Sequence, residues 1–117
     1  MTQSIEELII EGIRDRKGRD ITVVDMSAIE AAPVSKFIIA EGTSTMQVGA
    51  IADSVRDYLL EHGRIKPYNY DGYGNSEWIV VDYGEVMVHV FVPDARRRYC
   101  LEELWSDAII TDIPNLD

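Results

Sequence analysis

Apolar positions along the chain switch between helical and strand spacing, and the switch points divide it into alternating helices and strands. Ile5, Leu8, Ile9 and Ile13 fall on one helical stripe behind the capping-box tetrad Ser4-Ile5-Glu6-Glu7. A helix is therefore predicted from about Ser4 to Lys17, stopped by Gly18. Ile21–Asp25 reads as a strand, Met26–Val34 as a loop with at most a helical turn, and Lys36–Ala40 as a second buried strand. Thr43 or Ser44 then caps a long helix to about His62. Its inner stripe is Val48, Ile51, Ala52, Val55 and Leu59, and Gly63 closes it. Residues 64–77 form a polar loop rich in Gly and Tyr.

The densest apolar segment is Trp78–Phe91, two runs flanking the corner Asp82-Tyr83-Gly84-Glu85. It predicts a β-hairpin with strands near 78–82 and 86–91, in which Gly84 supplies the positive φ of a bulged loop. Alternation ordinarily gives a strand one wet face. Here it separates Trp78 and Val80 from Ile79 and Val81, and Val86, Val88 and Val90 from Met87 and Phe91, so both faces are apolar. The chain's helices can cover one face and leave the other for a partner. Beyond Pro93, short helical turns are expected at Asp94–Arg98 and Leu101–Trp105. The domain is expected to span 1–106, with 107–117 as a C-terminal tail that frays or adds a short extended piece.

Composition changes the picture in two ways. A chain of 117 residues with 46% hydrophobic content is one globular domain, with no apolar run approaching the roughly 20 residues that span a bilayer. The N-terminus, MTQSIEELII, is acidic and does not resemble a secretory signal, and the single Cys100 suits a reducing cytoplasm. With 21 acidic and 11 basic residues the net charge is −10, which repels phosphate backbones. Direct DNA binding is not expected, and a protein component is the expected landing site on any nucleic-acid machine. Basic residues do cluster at Arg14–Arg19 and Arg96–Arg98; solvated faces and helix-end charges account for such clusters.

Catalytic chemistry lacks its constellation. The Gly42-Thr43-Ser44 turn between strand and helix is a place where backbone N–H groups can hold an anion, and it loosely resembles the phosphate turn of nucleotidyltransferases. That chemistry needs paired carboxylates on the next strand to hold a divalent metal. Asp53 lies inside the helix instead, and Asp82 and Glu85 straddle the hairpin turn. His89 has no adjacent nucleophile, Cys100 reads as a structural thiol, and Gly72–Ser76 precedes a strand where a phosphate loop precedes a helix. No metal and no cofactor are expected, and the chain is not expected to be an enzyme.

Five ordered blocks carry a resemblance. They are Asp20–Asp25, Phe37–Ser44 with Gly42-Thr43-Ser44, Ala50–Asp53, Trp78–Phe91, and Arg97-x-Tyr99-x-Leu101-Glu102-x-Leu104-Trp105. Together they resemble the ribosomal silencing factor (RsfS, Iojap-like) family over roughly residues 4–106. The chain departs from that family at Ser35-Lys36, where an aspartate is frequent, and at Met46-Gln47, where Arg-His is frequent. The resemblance implies an α/β fold: a mixed β-sheet flanked by helices, of nucleotidyltransferase-like shape but lacking the catalytic carboxylates. It also implies binding to the large ribosomal subunit through its fourteenth large-subunit protein. Bound there, such a protein blocks joining of the small subunit and represses translation under nutrient limitation.

Partner contact is expected on the hairpin, at Trp78, Asp82, Tyr83, Glu85 and Met87. Trp78 and Tyr83 are the aromatic anchors, since interface hot spots favour Trp, Tyr and Arg; core filling is the competing role for Trp78, and turn-holding for Asp82. A homodimer is expected from the apolar surface left over. The competing functions are a small nucleotidyltransferase-like enzyme and a homodimeric scaffold.

Overall fold

The computed structural model describes residues 3–116. Among these residues ten elements follow one another: α1 (Ile5–Asp15), β1 (Arg19–Asp25), β2 (Lys36–Glu41), α2 (Thr45–Gly63), β3 (Asn69–Asp71), β4 (Trp78–Asp82), β5 (Val86–Phe91), α3 (Pro93–Tyr99), α4 (Leu101–Leu104) and β6 (Ile109–Ile113). The strands form one sheet in the order β3-β4-β5-β2-β1-β6. Only β2 and β5 run parallel, with α2 on the connection between them; the other neighbours are antiparallel.

Both sheet faces are apolar, and the chain covers both. On one side α1 and α2 bury Ile21, Val23, Ile38, Ala40, Ile79, Val81, Val86, Val88 and Val90. On the other, Val24, Phe37, Ile39 and Phe91 pack under Met26, Ala95 and Leu101, with Ile29, Ala32, Val34 and Trp105 at the margin. The expectation that one face is left for a partner is thus corrected. The 26–34 segment, α3 and α4 form a second layer, and only the β4 side of that face stays half-exposed. The hairpin register, Trp78↔Phe91, Val80↔His89 and Asp82↔Met87, puts those six residues on this second face.

Helix starts follow the sequence, but the expected glycine stops do not: α1 ends at Asp15 and α2 runs through Gly63, and the left-handed residues behind them are Lys17 and Arg64, not Gly18 and Gly63. Ser4 Oγ accepts from the Glu7 N–H at 3.1 Å, and Ser44 Oγ does the same for Gln47. The layers are locked by a close approach of α1 and α2. A Cβ on Gly12 would stand 2.9 Å from Val55 Cα, and the buried Ser54 hydroxyl donates to the Gly12 carbonyl at 2.7 Å. Lys36 and Gln47 add two further ties between the layers. Lys36 pairs with Glu6 at 2.7 Å, joining sheet to α1. Gln47 Oε1 accepts from the Thr43 N–H and hydroxyl while its Nε2 donates to the Arg16 and Lys17 carbonyls, tying α1 to the β2–α2 turn.

One strand lies in a stretch expected to be loop, and another gives the tail the extended form that was one of its two expected outcomes. Asn69–Asp71 adds β3 at one edge from within the polar loop, and Ile109–Ile113 adds β6 at the other, paired with Ile21–Asp25. Within the segment expected as a tail, Ile109–Ile113 thus takes the extended form.

Candidate functional site: the hairpin and its second face

The hairpin corner is built by one carboxylate and one glycine. Asp82 Oδ1 accepts from the Gly84 N–H at 2.8 Å, the Tyr83 N–H donates to the Val86 carbonyl at 2.9 Å, and Gly84 takes φ +89°. A side chain at Gly84 would also strike the ring of Tyr68. Asp82 therefore holds the turn, as Asx residues do, and its remaining oxygen can still face a partner.

Of the five residues expected at a partner surface, three share a face. Trp78, Asp82 and Met87 are half-buried on the second face of the sheet, and Glu85 is exposed at the hairpin tip. Tyr83 is elsewhere. It is buried in the core under α1 and α2, so the expectation of an exposed aromatic anchor at this position is corrected. Burial pushes its hydroxyl up to about 12, and that hydroxyl has no hydrogen-bond partner among the described residues. A residue in the middle of a turn obeys neither strand nor helix periodicity, so its direction was not readable from spacing.

Trp78 sits in an aromatic row. Its ring stacks on Phe91 with centroids 5.1 Å apart and lies 4.6 Å from Tyr99, which α3 brings over the strand. Its indole Nε1–H donates to His89 Nδ1 at 3.0 Å. His89 also meets Phe37 edge-on at 4.5 Å, and burial lowers its pKa to about 4. Trp78 thus combines core packing with a partly exposed edge. Val80, between Trp78 and Asp82 on the same face, completes the surface; alternation grouped it with Trp78 without marking it as a contact residue. Around this patch lie Asp71 on β3 and Glu77, Asp82 and Glu85, so an apolar strip has an acidic border.

The arginines divide. Arg96 turns inward, donating to Glu102 at 3.0 Å, to Thr22 Oγ1 at 2.8 Å and to the Asp20 carbonyl, with Glu41 at 3.4 Å. Arg97 pairs with Asp94 one turn away. The carboxylate once considered for catalysis, Asp53, accepts from the Tyr73 hydroxyl at 2.9 Å, next to Arg56, whose guanidinium lies 3.8 Å over the Tyr70 ring. Among the described residues no group of three His, Cys, Asp or Glu side chains could hold a metal ion. No described helix is long and apolar enough to cross a membrane.

A six-stranded mixed sheet with helices on one face, a thin cover on the other and a half-exposed aromatic strip at one end defines a small α/β protein whose most developed feature is a surface. Its relatives say which. A family model described as ribosomal silencing factor during starvation matches residues 2–117. The ribosomal silencing factor RsfS of Bacillus subtilis is 37% identical over 111 residues, covering 95% of this chain and 92% of the relative. That of Chromobacterium violaceum is 40% identical over 104 residues, covering 89% and 84%. A crystal structure from Chromobacterium violaceum superposes with a TM-score of 0.82 at 39% identity, over 91% of this chain and 87% of that one. One from Bacillus halodurans gives 0.78 at 31% identity, over 93% and 97%. The chain belongs to the ribosomal silencing factor family. A mouse relative, 30% identical over 86% of this chain and 44% of its own, bears the name mitochondrial assembly of ribosomal large subunit protein 1.

Proposed function

We propose that this protein docks on the large ribosomal subunit through the fourteenth large-subunit protein, prevents the small subunit from joining, and so represses translation when nutrients are short. Membership of the silencing-factor family across residues 2–117 is the observation that carries this reading. The mouse relative's name supports the choice of the large subunit.

Blocking an interface requires bulk, and the folded body has principal extents of 37 × 33 × 29 Å. A standard interface takes roughly 800 Å² per partner, about a tenth of a small protein's surface. The second face near Trp78, Val80, Asp82 and Met87, with Glu85 at the tip, supplies an apolar centre and an acidic border. That arrangement suits a basic ribosomal protein and repels bare RNA, in keeping with the net charge of −10. The protein acts in the cytoplasm as a binding module without turnover, and exposed Leu104, Ile109 and Ile110 favour a homodimer in free solution.

Cosedimentation with separated ribosomal subunits tests the reading. The protein is expected to pellet with the large subunit and not with the small, and to lower the yield of joined ribosomes. Pelleting with neither subunit, or undiminished joining at saturation, would overturn it.

A further inference from the structure

His89 is a buried polar side chain whose presence sheet packing does not explain. It lies on β5, an interior strand between β4 and β2, in register with Val80 and Ile39, and is 4% exposed. Its Nε2 is buried and has no hydrogen-bond partner among the described residues. With Nδ1 accepting from the Trp78 indole, the ring proton sits on Nε2, and a buried donor left unpaired costs stability. A phenyl or leucyl side chain would fill the same layer beside Phe37 and Phe91 without that cost. Neither could accept the indole N–H.

Trp78 needs such an anchor more than its neighbours on the patch. The β3 ladder ends at Asp71↔Val80, so the ladder partner of Trp78 is Phe91 alone. Phe91 and Tyr99, with centroids 5.1 Å and 4.6 Å away, fix the plane of the indole. Stacking is indifferent to which edge of a ring faces in. The 3.0 Å bond to His89 is not, because it requires the nitrogen edge to point at β5. His89 is itself held edge-on by Phe37 at 4.5 Å, so the anchor belongs to the buried layer. With its N–H satisfied inside the protein, the indole offers a partner only ring carbon and π-face. Such a surface takes an apolar or cationic side chain and has no donor for an acceptor.

We propose that His89 is a positioning residue for docking: by accepting the indole N–H it holds the Trp78 ring with its carbon edge turned to the large-subunit protein, whose contact there is an apolar or cationic side chain. His89 never touches the partner and acts only through Trp78. The proposal deepens the docking reading and rests on it.

The test joins a spectroscopic readout to a binding one on the full-length protein. The indole Nε1–H resonance of Trp78, told apart from that of Trp105 by Trp105→Phe, is expected to move to the position of a water-exposed indole in His89→Phe, or in His89→Leu if the larger ring does not fit. In the same variant, cosedimentation should show affinity for isolated large subunits falling roughly fivefold or more, the worth of one hydrogen bond. Trp78→Phe keeps a ring against Phe91 and Tyr99 but has no N–H, so adding the His89 change to it should cause no further loss. An indole resonance that stays in place, unchanged affinity in a folded His89 variant, or an equal further loss in the Trp78→Phe background would overturn the assignment. Melts showing that neither His89 variant folds would also overturn it, by making His89 a core residue. Wild-type protein that fails to pellet with the large subunit would instead remove the docking reading beneath it, whatever the indole resonance shows.

Discussion

The indole N–H of Trp78 donates to Nδ1 of His89 at 3.0 Å, diagonally across the β4–β5 ladder, where His89 faces Val80 two residues along from Trp78. The bond requires Nδ1 to be unprotonated, which puts the histidine proton on Nε2 and keeps the ring neutral. It links the half-exposed patch directly to the buried layer beneath it, so rotation of the Trp78 ring is opposed by a hydrogen bond as well as by Phe91 and Tyr99.

A pH dependence follows from that ring. Burial lowers His89 to about 4 in the folded protein, against 6.5 for a free histidine. Between those values the unfolded chain binds the extra proton, so stability is full above pH 6.5 and falls as the pH drops towards 4. The loss attributable to His89 should approach roughly 3 kcal/mol. Denaturant unfolding of wild type and His89→Phe from pH 7 to pH 4 checks it: the variant, which cannot titrate there, should show the shallower decline. Parallel declines would assign the acid sensitivity to other groups.

Gly12 should not tolerate a methyl group. Alanine would place its Cβ against backbone at Val55, where no side-chain rotation relieves the contact. Although alanine favours an isolated helix by about 1 kcal/mol, overpacking between α1 and α2 should leave Gly12→Ala less stable by about 1–3 kcal/mol. Chemical denaturation measures this; an unchanged or raised midpoint would show that the helices can separate freely.

Arg96 should matter for stability more than its neighbours. Its side chain is 13% exposed and joins α3 to β1, β2 and α4. Removing one member of a fully buried ion pair costs roughly 3–5 kcal/mol, and partial access to water lowers that to about 2–3 kcal/mol for Arg96→Ala. Arg97→Ala, whose pair with Asp94 lies in solvent, should change stability by well under about 1 kcal/mol. Equal effects in thermal melts would contradict the inward role of Arg96.

The hairpin, its corner and both long helices were legible because each carries a strong period, with a serine N-cap at each helix start; the helix stops were not, because Lys17 and Arg64 take the left-handed positions expected of Gly18 and Gly63. Gly84 and Asp82 announced the turn chemically. Strand β3 was not legible, since Asn69-Tyr70-Asp71 is three residues long and wholly exposed, and exists only through its pairing with β4. Strand β6 likewise depends on its partner: four of its five residues are exposed, so no buried stripe marks it. The second layer was hidden in a stretch read as loop, where Met26, Ile29, Ala32 and Val34 pack without regular secondary structure. At the candidate surface, strand alternation placed Trp78 and Met87 on defined faces, but only pairing revealed that they share one. Tyr83, inside the turn, has no periodicity to show its direction, and its ring lies in the core under α1 and α2.

The most direct test of the account separates docking from folding. Trp78 is unsuited to it alone, because its stacking on Phe91 and Tyr99 makes truncation costly to both. Glu85 is exposed and Met87 half-buried, so the Glu85→Lys/Met87→Ala variant should keep a near-native melt. Its affinity for isolated large ribosomal subunits, measured by cosedimentation beside that melt, is expected to fall by about 2 kcal/mol or more, roughly thirtyfold. A folded double variant that still pellets with the large subunit at wild-type affinity would contradict the assignment of docking to this hairpin.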